Sequence, residues 1–187
     1  MSDIENPLRV PKGASSAEAI YLAVGLALSY WEGTQDNILG IYRVLISSGE
    51  EGSITKFIEG TRARRAKTLN SLLIKGPSIL FADEADKLMT ALSELHGLVD
   101  ARNKIAHGHC SRHRSKTNGI VMVDGFVLSP AFNRGEWIER STDMSLDDFE
   151  INEFTKSVRK IRGVVMDVHH RLALRLQESG KSILMND

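Results

Sequence analysis

Leu98-Val99-Asp100-Ala101-Arg102-Asn103-Lys104-Ile105-Ala106-His107-Gly108 reads as the end of an amphipathic helix, and that reading makes the chain a helical bundle rather than a sheet. Upstream of it, Leu88, Leu92, Leu95 and Val99 recur at alternating spacings of four and three, the period of a helix face buried against partners. The same rhythm continues onto Arg102 and Ala106. A guanidinium keeps its proton inside proteins, so an Arg on a buried stripe calls for a partner, a ligand or a wet cleft. Asn103 stands one helical turn before His107, on a neighbouring row, and Gly108 is the residue type expected just past a helix C-terminus. The stretch thus gathers an Arg, an amide and an imidazole at the end of a helix that starts near Asp83.

Outward from this stretch the apolar period stays helical. On the N-terminal side, residues 1–14, with Pro7, Pro11 and Gly13, form an irregular arm. A first helix starts at Ser15 or Ser16 and runs from Ala17 to about Ile46, with Gly33-Thr34 as a point of bending or splitting. A second opens at Ser53 and runs to Lys75 before Gly76-Pro77; its polar middle, Arg62 to Lys67, should face solvent or a ligand. On the C-terminal side, His109 to Asn118 reads as a polar loop. Ile120 to Leu128 reads as two β-rich runs around Asp124-Gly125, a hairpin signal, and Trp137 to Ser141 as a third strand. Ser145 followed by Asp148 marks a cap, and a long last helix continues to about Gln177 along a row that includes Phe149, Ile151, Phe154, Val158 and Val165. The expected fold is therefore all-α, an antiparallel bundle of four to five helices with a small β-hairpin insertion within 109–144, before the last helix, in a single domain over 1–187.

Composition narrows the function classes. The 187 residues carry 24 basic and 24 acidic side chains, so the net charge is zero and whole-molecule steering toward nucleic acid or an anionic membrane is not expected. Nor is a membrane span: the longest apolar run, Ala19 to Tyr30, falls short of the ~20 residues a bilayer requires and carries Gly25 and Ser29. The single Cys110 forms no internal disulfide, and with no secretory pattern at the N-terminus the expected location is cytoplasmic. Zero net charge hides an uneven distribution. Segments 60–82 and 101–123 contain no acid, while carboxylates concentrate from Glu136 to Glu153. If the two basic segments meet, they attract phosphate; if not, they are separate solvated faces.

An Arg, an amide and an imidazole are groups that chemistry on phosphodiesters can use. Cleavage of RNA without a metal requires a base for the 2′-hydroxyl proton, an acid for the leaving 5′-oxygen and a fixed cation for charge gathering on phosphate. A histidine, with an unperturbed pKa of about 6.5, serves as base or acid near neutrality, and an Arg presents a planar fork of donors to phosphate oxygens. His107 and Arg102 supply these groups, with Asn103 to orient them, and Lys104, His109, Arg112, Arg114 and Lys116 follow as candidates for holding an RNA backbone. Arg102 and His107 lie roughly 140° apart and about 7.5 Å along a helix axis, too far for a two-residue device on one helix, so a site would need a second copy of it.

Arg102-Asn103 followed by His107, with a spacer of four residues, resembles the motif of the HEPN superfamily: Arg, usually a polar residue next, and a His after four to six residues. About ten positions carry the resemblance, supported by the order of helices along the chain. It implies a helical bundle, commonly a homodimer, whose active members are metal-independent ribonucleases with Arg and His of two protomers facing a shared cleft. Arg102, Asn103 and His107 would then be catalytic, with no cofactor and no metal. A related expectation is a non-catalytic HEPN-like module that binds RNA, or a protein partner such as an antitoxin in a defence or stress system.

Other readings use the same residues. Lys104 or His107 in a last helical turn is favourable through the helix dipole alone, and Arg102 can serve an internal ion pair. His107, His109, Cys110 and His113 include four zinc-ligand types within seven positions, although their spacing fits no structural zinc pattern. Of His169 and His170, one should pack partly inward and the other face out.

Overall fold

A computed structural model describes residues 13–75, 77–117, 120–129 and 145–183, with the backbone alone over 114–117 and 120–124. It is predominantly helical, with one two-stranded antiparallel hairpin before the last helix. The helices are α1 (Ala17–Ser48), α2 (Ile54–Glu59), α3 (Arg62–Lys75), α4 (Ala82–Gly97), α5 (Val99–His107) and α6 (Asp148–Glu178); the strands are β1 (His109–Thr117) and β2 (Ile120–Ser129). The residues cluster into two compact units, Met1–Leu28 with Asp100–Phe154 and Ser29–Val99 with Thr155–Asp187.

The second unit is built of helices. Trp31, Ile41, Leu45, Leu69, Leu88, Leu172 and Leu176 are almost fully buried in it, each at a helical spacing within its own element. α1 runs unbroken through Gly33-Thr34, where Thr34 donates its hydroxyl to the Tyr30 carbonyl at 2.8 Å and the missing side chain of Gly33 leaves room for the Arg162 guanidinium. It ends at Gly49, whose φ of +118° suits a residue without Cβ, while Gly49 and Glu50 donate back to Ile46 and Leu45. The single helix expected from Ser53 to Lys75 is instead two. Extended Gly60 stops α2, and Thr61 restarts the helix by accepting the Arg64 N–H on its hydroxyl at 3.3 Å. Ser53 caps α2 as expected, accepting from Lys56.

The helix that opens before Leu88 is also divided. Glu84 accepts the Phe81 N–H at 3.2 Å and so closes the first turn of α4. The same carboxylate, buried at 3% exposure, receives the Arg175 guanidinium at 2.5 and 2.7 Å, and Phe81 lies over that guanidinium at 4.1 Å. At its other end α4 stops at Gly97, and Leu98, at φ −91° and ψ −1°, separates it from α5.

The first unit combines α5 and the hairpin with the N-terminal part of α1 and the first turns of α6. Ile20, Ala27, Ile105, Val127, Leu128 and Ile151 are buried in it. β1 begins at His109, directly after Gly108, where a polar loop was expected. The hairpin turn is not at Asp124-Gly125. β1 and β2 pair from His109 with Ser129 to Thr117 with Ile120, and Asp124 is the extra residue of a bulge, since His113 pairs with Gly125 and Arg114 with Val123. Gly125 is needed for a different reason: a Cβ there would lie 2.9 Å from the Ala14 carbonyl oxygen. Ala14 exchanges two backbone hydrogen bonds with Phe126, at 2.8 and 3.0 Å, and Leu146 does the same with Leu128. These bridges cover the other edge of β2, so the chain at Ala14 is fastened rather than a free arm. The third strand expected over Trp137 to Ser141, and the arm before Gly13, lie outside the described residues.

α6 is capped by Asp147, not Ser145. Asp147 accepts the Glu150 N–H at 2.8 Å while Glu150 accepts the Asp147 N–H at 2.9 Å, a reciprocal capping box. Ser145 is buried instead. The apolar row of α6 runs as read, except that Phe149 is 66% exposed.

Candidate functional site

α5 is nine residues long, and its helical phase sets the candidate site. Ile105 is the buried anchor of α5, and Arg102 and Ala106 are half-buried at its margin. The opposite face is exposed and holds Asp100, Asn103, Lys104 and His107 at the i, i+3, i+4, i+7 positions of one stripe. The Asn103 carboxamide oxygen accepts from Arg102 at 3.5 Å, the outer limit for such a bond. Arg102, Asn103 and His107 therefore sit on one short helix as the motif requires. Asp100, a carboxylate, joins Asn103 and His107 on the same exposed stripe.

The helix passes straight into β1. Gly108 does not take the left-handed conformation expected of a C-terminal glycine; among the described glycines only Gly13, Gly49 and Gly180 have positive φ. Its value is space, because a Cβ at this position would meet the Leu128 side chain at 2.5 Å and the Lys104 carbonyl oxygen at 2.9 Å. His109 and Arg112 are exposed, and the Arg112 guanidinium lies 5.8 Å from the centre of the Phe126 ring on the facing strand. Arg114 and Lys116 hold alternate positions of β1 beyond the bulge, opposite Val123 and Val121.

A zinc centre from His107, His109, Cys110 and His113 does not fit this backbone. Cys110 alternates with its neighbours on β1, and His109 and His113 are four strand residues, about 13 Å, apart, whereas ligands of one zinc ion lie ~2.0–2.3 Å from it. No group of three or more His, Cys, Asp or Glu side chains placed to hold a metal occurs among the described residues. The Cys110 thiol is no better suited to nucleophilic work. Burial, and secondarily the Glu18 carboxylate, push its pKa up and keep it protonated.

The chain matches no protein-family model, no curated protein and no solved structure. The candidate site therefore rests on its own geometry.

The two basic segments lie in different units, 60–82 in the second and 101–123 in the first. In the second unit, α3 and α4 form a cleft lined by Arg62, Lys67 and Lys75 together with apolar groups of both helices. The expectation that Arg62 to Lys67 face solvent or a ligand pointed at it; the apolar half, from Ala63, Ala66 and Leu92, carried no signal because alanines at helical spacing look like ordinary helix filler. His169 and His170 divide as expected. His170 is exposed, and His169 packs beside Gly40, where any Cβ would collide with the imidazole. Burial, then the nearby His170, depress the His169 pKa.

Proposed function

We propose that this chain is a HEPN-like domain that cleaves RNA phosphodiester bonds without a metal, at a site made from α5 of two copies. The observation that supports this reading is the placement of Arg102, Asn103 and His107 on one unbroken helix, with Asn103 and His107 on its exposed face and Arg112 and His109 on the strand that follows. On a regular helix His107 stands about 7.5 Å along the axis from Arg102 and roughly 140° around it. One copy therefore presents its guanidinium and its imidazole to different directions, and two α5 helices facing each other would bring both imidazoles and the guanidinium groups to a shared cleft.

In that arrangement the His107 imidazole of one copy takes the proton of the ribose 2′-hydroxyl as its oxygen attacks phosphorus. The bond from phosphorus to the 5′-oxygen breaks, and the imidazolium of the second copy gives that oxygen its proton. The products are a 2′,3′-cyclic phosphate and a free 5′-hydroxyl, so protons balance across the pair. Arg102 holds the non-bridging oxygens as their charge grows, and Lys104, His109, Arg112, Arg114 and Lys116 are the backbone-binding residues of the proposal. Labelled RNA incubated with the purified chain in EDTA tests it. His107→Ala should lower cleavage by about 10²-fold or more, and absence of cleavage, or cleavage unchanged by this substitution, rejects the enzyme.

A second reading has one observation of its own. Asp100 shares the exposed stripe with Asn103, Lys104 and His107, and a carboxylate there opposes a phosphate. A HEPN-like module that docks RNA or a protein partner without cutting fits that stripe. The cleavage assay separates cutting from docking, and RNA affinity measured at two salt concentrations separates an RNA-docking module from a protein-docking one, since phosphate contacts must weaken as salt rises.

A further inference from the structure

The cleft between α3 and α4 takes no part in the proposed ribonuclease site. It has an inner recess of about 130 Å³ lined by Trp31, Leu95 and Val99, and an outer groove of about 670 Å³ that continues past Asn70 and Ile74; Ala63, Ala66, Leu92 and His96 line both. Small-molecule sites occupy roughly 300–1,000 Å³, so the groove is large enough for one. It is apolar along its length because Ala63 and Ala66, one turn apart, present only methyl groups toward the space that Leu92 lines from α4.

Its charge and its hydrogen bonding indicate what fits. No carboxylate lines the recess or the groove, whereas Arg62, Arg65, Lys67 and Lys75 all do. Arg62 is already paired with Glu32 at 3.6 Å and Arg65 donates to the Phe57 carbonyl at 3.0 Å. The exposed ammonium groups of Lys67 and Lys75 are left to set the potential of the rim. Between them, the buried carboxamide oxygen of Asn70 has no hydrogen-bond partner among the described residues. Such an acceptor is costly unless a donor arrives.

We propose that this cleft binds an amphipathic organic anion of the N-acyl amino acid type: a hydrocarbon chain, an amide N–H and a terminal carboxylate. The order of groups matches. Asn70 lies about 6 Å along α3 from Ala66, and Lys75 a further 7.5 Å or so, so the chain fills the recess, the amide N–H meets the Asn70 carboxamide as its oxygen turns toward the groove, and the carboxylate meets the rim at Lys75, while Lys67, about 12 Å back along α3, adds to the positive potential of the rim. A plain alcohol or hydrocarbon leaves both Asn70 and the lysines unsatisfied.

Calorimetric titration of the intact chain with N-dodecanoylglycine and with its methyl ester, both below their micellar concentrations, tests the proposal. The acid should saturate and bind at least about tenfold tighter than the uncharged ester. The double substitution K67E/K75E, on exposed positions, should cost the acid about tenfold or more and leave the ester unchanged. Ala66→Phe, which fills the recess, should abolish both while the circular dichroism stays helical; should it unfold the chain, K67E/K75E still decides. No saturable binding, equal affinity for acid and ester, or indifference to K67E/K75E overturns the proposal. Preference for an acidic amphipathic peptide over the acyl glycine also overturns it and gives the cleft to a protein partner. None of the substituted residues, Ala66, Lys67 and Lys75, lies on α5, so loss of ribonuclease activity and loss of this binding are separate results.

Discussion

The two acid-free segments, 60–82 and 101–123, are alike in charge and fold differently. The first builds α3, where Leu69, Leu72 and Leu73 are buried at helical spacing and the cations ride on the remaining faces. The second builds the nine residues of α5, anchored by Ile105 alone, and then the strand β1. Charge composition does not choose between helix and strand here; the spacing of apolar residues does. The contrast also separates roles. α3 buries Leu69, Leu72 and Leu73 and lends other side chains to a cleft, while α5 buries Ile105 alone and exposes Asp100, Asn103, Lys104 and His107.

Leu69→Ala gives the sharpest way to break that comparison. Truncating a fully buried leucine should cost about 2–5 kcal/mol in urea unfolding, and a cost below 1 kcal/mol would mean that α3 is no better anchored than α5. Next comes Glu84→Gln, which removes the carboxylate that Arg175 and the start of α4 share, with an expected loss of about 2–3 kcal/mol because Arg175 stays partly solvated. Its pH dependence has a definite sign. The Arg175 hydrogen bonds hold the Glu84 carboxyl below its ordinary 4.5, so its contribution is present above that pH and is lost as pH falls through the lower folded value. Acid unfolding curves of the wild type and of Glu84→Gln should converge in that range.

Gly40→Ala should cost about 1–3 kcal/mol, because a methyl group cannot enter the space of the His169 imidazole. Burial depresses the His169 pKa, so its neutral form supports the fold fully above pH 6.5, and stability declines as pH falls below that value. His169→Asn should remove this decline in thermal melts taken from pH 7.5 to 5.5. The smallest effect is expected on the exposed stripe of α5. His107→Ala should change stability by under about 0.5 kcal/mol while abolishing any cleavage. A large loss of stability would make His107 a packing residue and erase the contrast between the segments.

Much of the helical plan was legible because long apolar rows such as Ile151 to Leu176 have one period and one interpretation. Element ends were harder. Gly60-Thr61 and Gly97-Leu98 each break a row without a proline, and the apolar residues on both sides still keep time well enough to suggest one helix. At the site, the reading that carried the stripe onto Arg102 and Ala106 overlooked Ile105, the buried residue of α5. Asp124-Gly125 looked like a turn because Asp and Gly favour one. Its glycine answers a long-range demand, the approach of Ala14, that no local pattern encodes. The same holds for Gly108 and Leu128. Arg102, Asn103 and His107 were legible as a group, since three residues on one helical turn and a half need only the helix to be correct.

The brevity of α5 has a consequence for how its motif is presented. Isolated helices shorter than about 12–15 residues are marginal in water, so nine residues persist only through Ile105 and through the seat that Leu128 takes against Gly108. Opening of the hairpin should therefore release α5 with it, and the amide protons of both should exchange together, at one rate, as a single cooperative segment. Any ligand that orders Arg102, Asn103 and His107 would then slow exchange in β2 as well, a signature visible far from the bound atoms.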